Sequence, residues 1–97
     1  MRGLTFVWDE KKDSANQRKH GIPFAEARTV FYDENAREYS DPDHSESEKR
    51  FILLGISSRL RVLVVCHCYR ESESVIRIIS ARRARQSEEE TYWSQEP

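Results

Sequence analysis

Three apolar runs follow one another in the second half of this chain: Phe51–Ile56, Val62–Tyr69 and Val75–Ala81. Each is rich in β-branched side chains, which pack well on a pleated surface, and each is bounded by turn or charged residues. The spacers Ser57–Arg61 and Arg70–Ser74 are short enough to be hairpin connections. The stretch therefore predicts a three-stranded antiparallel meander as the core of the fold.

The flanks supply the layers around it. Leu4–Trp8 reads as a short strand. Asp9 can cap a helix running through about His20, with Gly21 as its stop. Asp9, Glu10 and Asp13 at its start and Arg18 and Lys19 at its end complement the helix dipole. Only Ala15 is apolar on this helix, so it packs lightly or faces a partner. Pro23 begins a second helix, ending near Tyr32–Asp33, with Phe24, Ala27, Val30 and Phe31 on one face. Ala36–Ser40 reads as a short edge strand and Asp41-Pro42-Asp43-His44 as an acidic turn. Ser87 starts a last helix with Glu90 as capping-box partner. Tyr92 and Trp93, one turn on, either dock that helix or offer a stacking surface to a base. The element order is β-α-α-β-β-β-β-α, an α+β fold in a single domain spanning 1–97 with a small core.

No signal peptide or membrane-spanning run is evident, and a cytoplasmic protein is the expectation. The net charge of −1 conceals a strong asymmetry. Residues 1–32 carry +2 and residues 33–49 carry −5. Residues 50–85 hold eight arginines against two glutamates, +6, and the tail from 86 onward carries −4. Arginine suits phosphate because its planar fork donates two parallel hydrogen bonds. For any single arginine here, a solvated surface is the simpler reading.

Strand alternation assigns the candidate residues to faces. Cys66 and Cys68 share one face of their strand, and His67 and Tyr69 share the other. Cys66-His67-Cys68 thus reads as two buried thiols and a satisfied histidine rather than a ligand cluster. His44 between Asp41 and Asp43 reads as a hydrogen-bonded turn before it reads as a metal ligand. Arg77 lies between Ile76 and Ile78, where an arginine is costly to bury alone. Either Glu38, Glu46 or Glu48 neutralises it, or it is held for an anion. If the hairpin closes with His67 near Arg77, both project from one face, although a slip of one residue separates them. Alternation puts Arg77 and Arg82 on opposite faces unless the strand bulges or ends first. Asn16, Lys19 and His20 lie within about one helical turn. Lys19 and His20 either meet an RNA phosphate or complement the helix end, and the second is favoured.

Three segments carry a family resemblance: Asn16–Gly21 as N-x-x-K-H-G, Asp41–Phe51 as D-P-D-H-S-x-x-E-x-R-F, and Ile76–Ala84 as I-R-I-I-S-A-R-x-A. With their order, and with the match running from Trp8 to Tyr92, the chain resembles the BrnT toxins of bacterial type II toxin–antitoxin systems. The resemblance implies a RelE-like fold, with two N-terminal helices and a C-terminal helix packed on an antiparallel sheet. It implies an endoribonuclease that arrests translation and needs no metal or organic cofactor. The implied partner is a BrnA-type antitoxin that reaches operator DNA on the toxin's behalf, in a heterotetramer built on dimeric antitoxin; no membrane partner is implied.

RNA cleavage by its own 2′-OH needs that hydroxyl oriented and deprotonated, the phosphorane charge stabilised and the leaving oxygen protonated. Arg77 and Arg82 are the expected phosphate groups. His67 is the expected acid or base, since histidine titrates near neutrality. Lys19, Lys49 and Arg61 are candidate substrate-positioning groups, and Arg83 joins them as a candidate RNA contact. The acidic QSEEETYW helix departs from the more basic helix of many relatives. Two alternatives compete with catalysis: a non-catalytic module binding nucleic acid or protein, and a metal-binding regulator using Cys66, Cys68, His44 and His67.

Overall fold

The structure, a computed structural model, describes residues 3–42, 48–70 and 72–94. Its elements in chain order are β1 (Thr5–Val7), α1 (Glu10–His20), α2 (Phe24–Ala27) running into a 3-10 turn (Arg28–Tyr32), β2 (Arg37–Ser40), β3 (Phe51–Ile56), β4 (Val62–Arg70), β5 (Ser72–Arg83) and α3 (Gln86–Trp93). The five strands form one sheet in the order β1-β5-β4-β3-β2. The β3–β4–β5 meander is antiparallel, as is β2 against β3. The expectation of a wholly antiparallel sheet is corrected at one edge: β1 runs parallel to β5. A strand of three residues carries no sequence signal for the direction in which it pairs.

Paired residues share a face, so register assigns every side chain. One face carries Leu53, Leu63, Val65, Ile78 and Ala81, and it is covered by Ile22, Phe24, Ala27 and Val30 of the helical layer. Among the described residues the other face is covered at one end, where Tyr92 of α3 packs against Leu54, Val62 and Val64, and is otherwise open. Tyr92 is 4% exposed and donates to Asp33 Oδ2 at 2.6 Å, so it docks the helix, whereas Trp93 stays 64% exposed.

α1 begins as its sequence dictates. Asp9 accepts from the Lys11 and Lys12 amides, and Gly21 closes the helix in the left-handed region at φ 74°. The α3 cap lies two residues earlier than Ser87–Glu90: Glu88 reaches back to the Arg85 amide at 2.7 Å. β5 extends well beyond Val75–Ala81 at both ends, which shortens the β4–β5 connection.

β1 pairs only with Val75–Arg77. Further along β5 the sheet edge is met by a side chain instead of a strand. The Asn16 carboxamide donates to Ala81 O at 2.8 Å and accepts from Ala81 N at 3.1 Å, completing both halves of a backbone pairing. The same nitrogen donates to Ile22 O at 2.8 Å. One buried amide thus fixes the polar helix α1 against the sheet edge.

β5 also carries a bulge. Ser80 opposes Cys66 and Ile78 opposes His67, leaving Ile79 without a partner. The extra residue reverses the alternation. Arg82, Ser80 and Arg77, opposite Val64, Cys66 and Cys68, therefore all lie on the open face.

Candidate nucleic-acid interface

A groove of about 630 Å³ runs along the open face and over the edge of β5. Its floor includes Ile52, Val64, Cys66 and Ser80, and its walls carry five basic side chains, Lys19, His20, Arg50, Arg82 and Arg85, with Asp41. Three different parts of the chain meet here. Asn16 sets the last turn of α1 beside β5, which brings Lys19 and His20 to the edge. The bulge turns Arg82 to this face. The start of β3 supplies Arg50, held at the rim by the Asp41 amide donating to its carbonyl at 3.0 Å.

The arginines are held by carboxylates. Arg82 makes a two-pronged pair with Glu88, both distances 2.9 Å. Those bonds, with the Arg85 amide, hold the Glu88 carboxyl down at about 2 against the opposing effect of burial. Arg50 donates to Glu48 at 3.3 Å, and Glu48 also accepts from Arg77 at 2.9 Å. Of the carboxylates named for Arg77, Glu48 is the partner observed among the described residues, and Glu46 lies outside them. Cys66 donates to Asp41 at 3.8 Å and Cys68 to Glu48 at 3.4 Å. Burial, followed by these neighbouring carboxylates, pushes both thiols up, so they are poor nucleophiles at neutral pH.

The structure separates several residues that the sequence grouped. Arg77 and Arg82 share a face, but their partners Cys68 and Val64 lie four residues apart, roughly 13 Å along the strand. Arg77 does not line the groove. His67 is not beside Arg77: it opposes Ile78 on the helix-covered face and is 0% exposed. Its ring packs between Phe31, Phe51 and Tyr69, with Nε2 3.0 Å from Glu38 Oε2 and Nδ1 3.2 Å from Val65 O. The imidazole is therefore enclosed on the helix-covered side of the sheet, away from the open face.

Arg61 is a structural cation. Its Nε donates to Glu26 Oε2 at 3.0 Å, a second nitrogen meets Oε1, and Ser57 adds a bond of 2.6 Å. Burial raises the Glu26 carboxyl, but these bonds outweigh it and the net shift is downward. Lys49 lies 5.9 Å from the centre of the Phe51 ring, and Arg83 opposes Leu63 on the helix-covered face. Of the seven residues proposed from sequence, Lys19 and Arg82 line the groove. The groove adds Arg50 and Arg85, which the sequence does not single out, and His20, for which the sequence favours a helix-end role over a phosphate contact. The K-H-G and R-R-A-R strings contain two of them, but nothing local to the sequence says which basic groups converge. Among the described residues no three His, Cys, Asp or Glu side chains are grouped to hold a metal; His44 lies outside them.

A family model described as the ribonuclease toxin BrnT of type II toxin–antitoxin systems matches residues 8–88. The chain belongs to the BrnT family. The crystal structure of the Brucella abortus ribonuclease toxin BrnT is similar, with a TM-score of 0.63 at 25% identity, covering 86% of this chain and 99% of that one. No curated protein matches. Family membership makes this chain a ribonuclease toxin of a type II system, with RNA as the implied substrate and an antitoxin as the implied partner. Among the described residues no helix is long and apolar enough to cross a membrane.

Proposed function

We propose that this BrnT-family toxin is an endoribonuclease that binds RNA in the basic groove and cleaves it by attack of the 2′-OH on the adjacent phosphate, without a metal. The observation that carries the reading is the convergence of Lys19, His20, Arg50, Arg82 and Arg85 on one groove of an otherwise mixed surface. Arg82, Arg50 and Arg85 hold the phosphate and stabilise the charge that develops on it; guanidinium groups do this well but accept protons poorly. Lys19 positions the strand. His20 is the proton-transfer group, because among the described residues it is the imidazole that borders the groove, and an imidazole can both accept and donate a proton. His67 maintains the core beneath. The chain acts in the cytoplasm, arrests translation and is neutralised by a BrnA-type antitoxin in a heterotetramer, on a scaffold of the RelE type.

Cleavage of single-stranded RNA by purified protein in the presence of EDTA tests this. His20→Asn is expected to lower the cleavage rate by 10²–10⁴-fold, the usual contribution of a general acid or base. It should leave RNA binding within a few-fold of wild type. Retained cleavage in His20→Asn with loss in a folded His67→Asn would reassign the proton transfer. Loss of all cleavage on chelation would overturn the metal-free reaction. The non-catalytic alternative draws on the Arg82–Glu88 pair, in which a carboxylate already fills the fork that a phosphate would use. Binding without cleavage of any RNA would favour it.

A further inference from the structure

The basic groove does not end at its apolar floor. Ile52 and Val64 also line a second hollow of about 230 Å³, whose other walls are Tyr39, Ser40, Pro42, Leu54 and Glu88. The register places the two in line. Tyr39 opposes Ile52, Ile52 opposes Cys66, and Cys66 opposes Ser80, so one row of side chains crosses the open face from edge to edge. With strands about 4.8 Å apart, the Tyr39 backbone lies roughly 14 Å from that of Ser80. The far end of the row is cationic and the near end is aromatic and apolar. Tyr39, on the edge strand β2, is 43% exposed, so its ring is accessible at this end of the row. The charged wall of this hollow, Glu88, is already satisfied by Arg82 and by the Arg85 amide.

We infer that the hollow between Tyr39, Pro42, Ile52 and Leu54 is a subsite for one unstacked nucleobase of a single strand whose phosphates lie in the basic groove. The inference rests on the RNA-groove reading above and deepens it. A nucleotide carries its flat, largely apolar base to one side of its anionic phosphate. A phosphate between Arg50 and Arg82 leaves that base over Ile52, with Tyr39 beside it. Aromatic side chains recognise bases of single strands by stacking, which tolerates any sequence because every base has a π-face. A duplex keeps its bases stacked on one another and offers none to the hollow. The subsite therefore selects single-stranded RNA and sets the register of the strand against the groove, without demanding one base.

Two fluorescent probes of equal length test this: an oligouridylate with 2′-O-methyl groups, and its abasic counterpart with the same phosphates. Tyr39→Ala is expected to weaken binding of the base-bearing strand by roughly five- to hundred-fold, the usual loss per stacked base. Binding of the abasic strand should stay unchanged, and Tyr39→Phe should bind both strands as wild type does. Thermal unfolding checks that each variant is folded. An equal loss on both strands, or no loss on either, overturns the base subsite. Arg50→Ala/Arg82→Ala separates the two levels of the account, since it should weaken both strands alike. If it weakens neither, the groove reading fails; if it weakens both while Tyr39→Ala is silent, only the subsite fails.

Discussion

Single side chains decide how this site is assembled, and Glu88 is the most consequential of them. Its carboxyl sits at about 2 rather than the ordinary 4.5, chiefly because Arg82 donates two hydrogen bonds to it. A lowered value in the folded protein means that the unfolded chain binds this proton more readily. The pair therefore stabilises the fold above about 4.5, and that contribution is lost as the pH falls toward about 2. Denaturant midpoints measured across that range should show a smaller loss in Glu88→Gln than in wild type, the remainder coming from Glu26, Asp33 and Glu48, whose carboxyls are also lowered. The same substitution frees the Arg82 fork, so RNA affinity should rise by a few-fold at neutral pH while stability drops. Asn16 is the second decisive side chain. Asn16→Ala leaves Ile22 O and both backbone groups of Ala81 without their partner, at a cost of about 3 kcal/mol. It also releases the α1 end that carries Lys19 and His20. Urea denaturation checks the stability loss, and RNA binding should weaken with it. Neither role was legible in the sequence. An asparagine in a polar helix has no signature of a sheet contact, and a glutamate in an acidic tail does not reveal which arginine it holds.

At the scale of elements, the meander was legible because its β-branched runs are separated by short polar spacers, and β3 spans the residues expected of it. The bulge was hidden. Ile78 and Ile79 are adjacent and no turn residue marks the extra position, yet the bulge at Ile79 decides that Arg77 and Arg82 share the open face. Alternation did place His67 opposite the two cysteines, but its relation to Arg77 depended on that same unseen bulge. The β3–β4 hairpin is anchored by Glu26, whose buried carboxylate holds Arg61 and Ser57. Glu26→Ala strands a half-buried guanidinium, and chemical denaturation should show a loss of about 3 kcal/mol. Gly55 admits the helical layer onto β3. A Cβ there would meet Val30 Cγ1 at 2.8 Å and Ala36 Cβ at 2.9 Å. Gly55→Ala is thus expected to lower thermal stability, by about 1–3 kcal/mol.

Over the whole molecule, the near-neutral net charge results from segregation rather than from even mixing. The arginine-rich sheet is opposed by acidic segments on either side of it in the chain, and Glu48 and Glu88 bring those segments onto Arg50, Arg77 and Arg82. Helices cover one sheet face and leave most of the other to the groove. The α+β class and the element order were readable from periodicity. The parallel edge strand and the convergence of Lys19, His20, Arg50, Arg82 and Arg85 were not, because both arise from contacts between residues far apart in sequence. The central claim is that RNA lies on the open face. Amide chemical shifts recorded while the protein is titrated with single-stranded 2′-O-methyl RNA, which lacks the attacking hydroxyl, test it most directly. Saturable shifts at Lys19, His20, Arg50, Cys66, Ser80 and Arg82 are the expected result. Shifts confined to α2, the 3-10 turn and the surroundings of Arg61, with the open face silent, would contradict it.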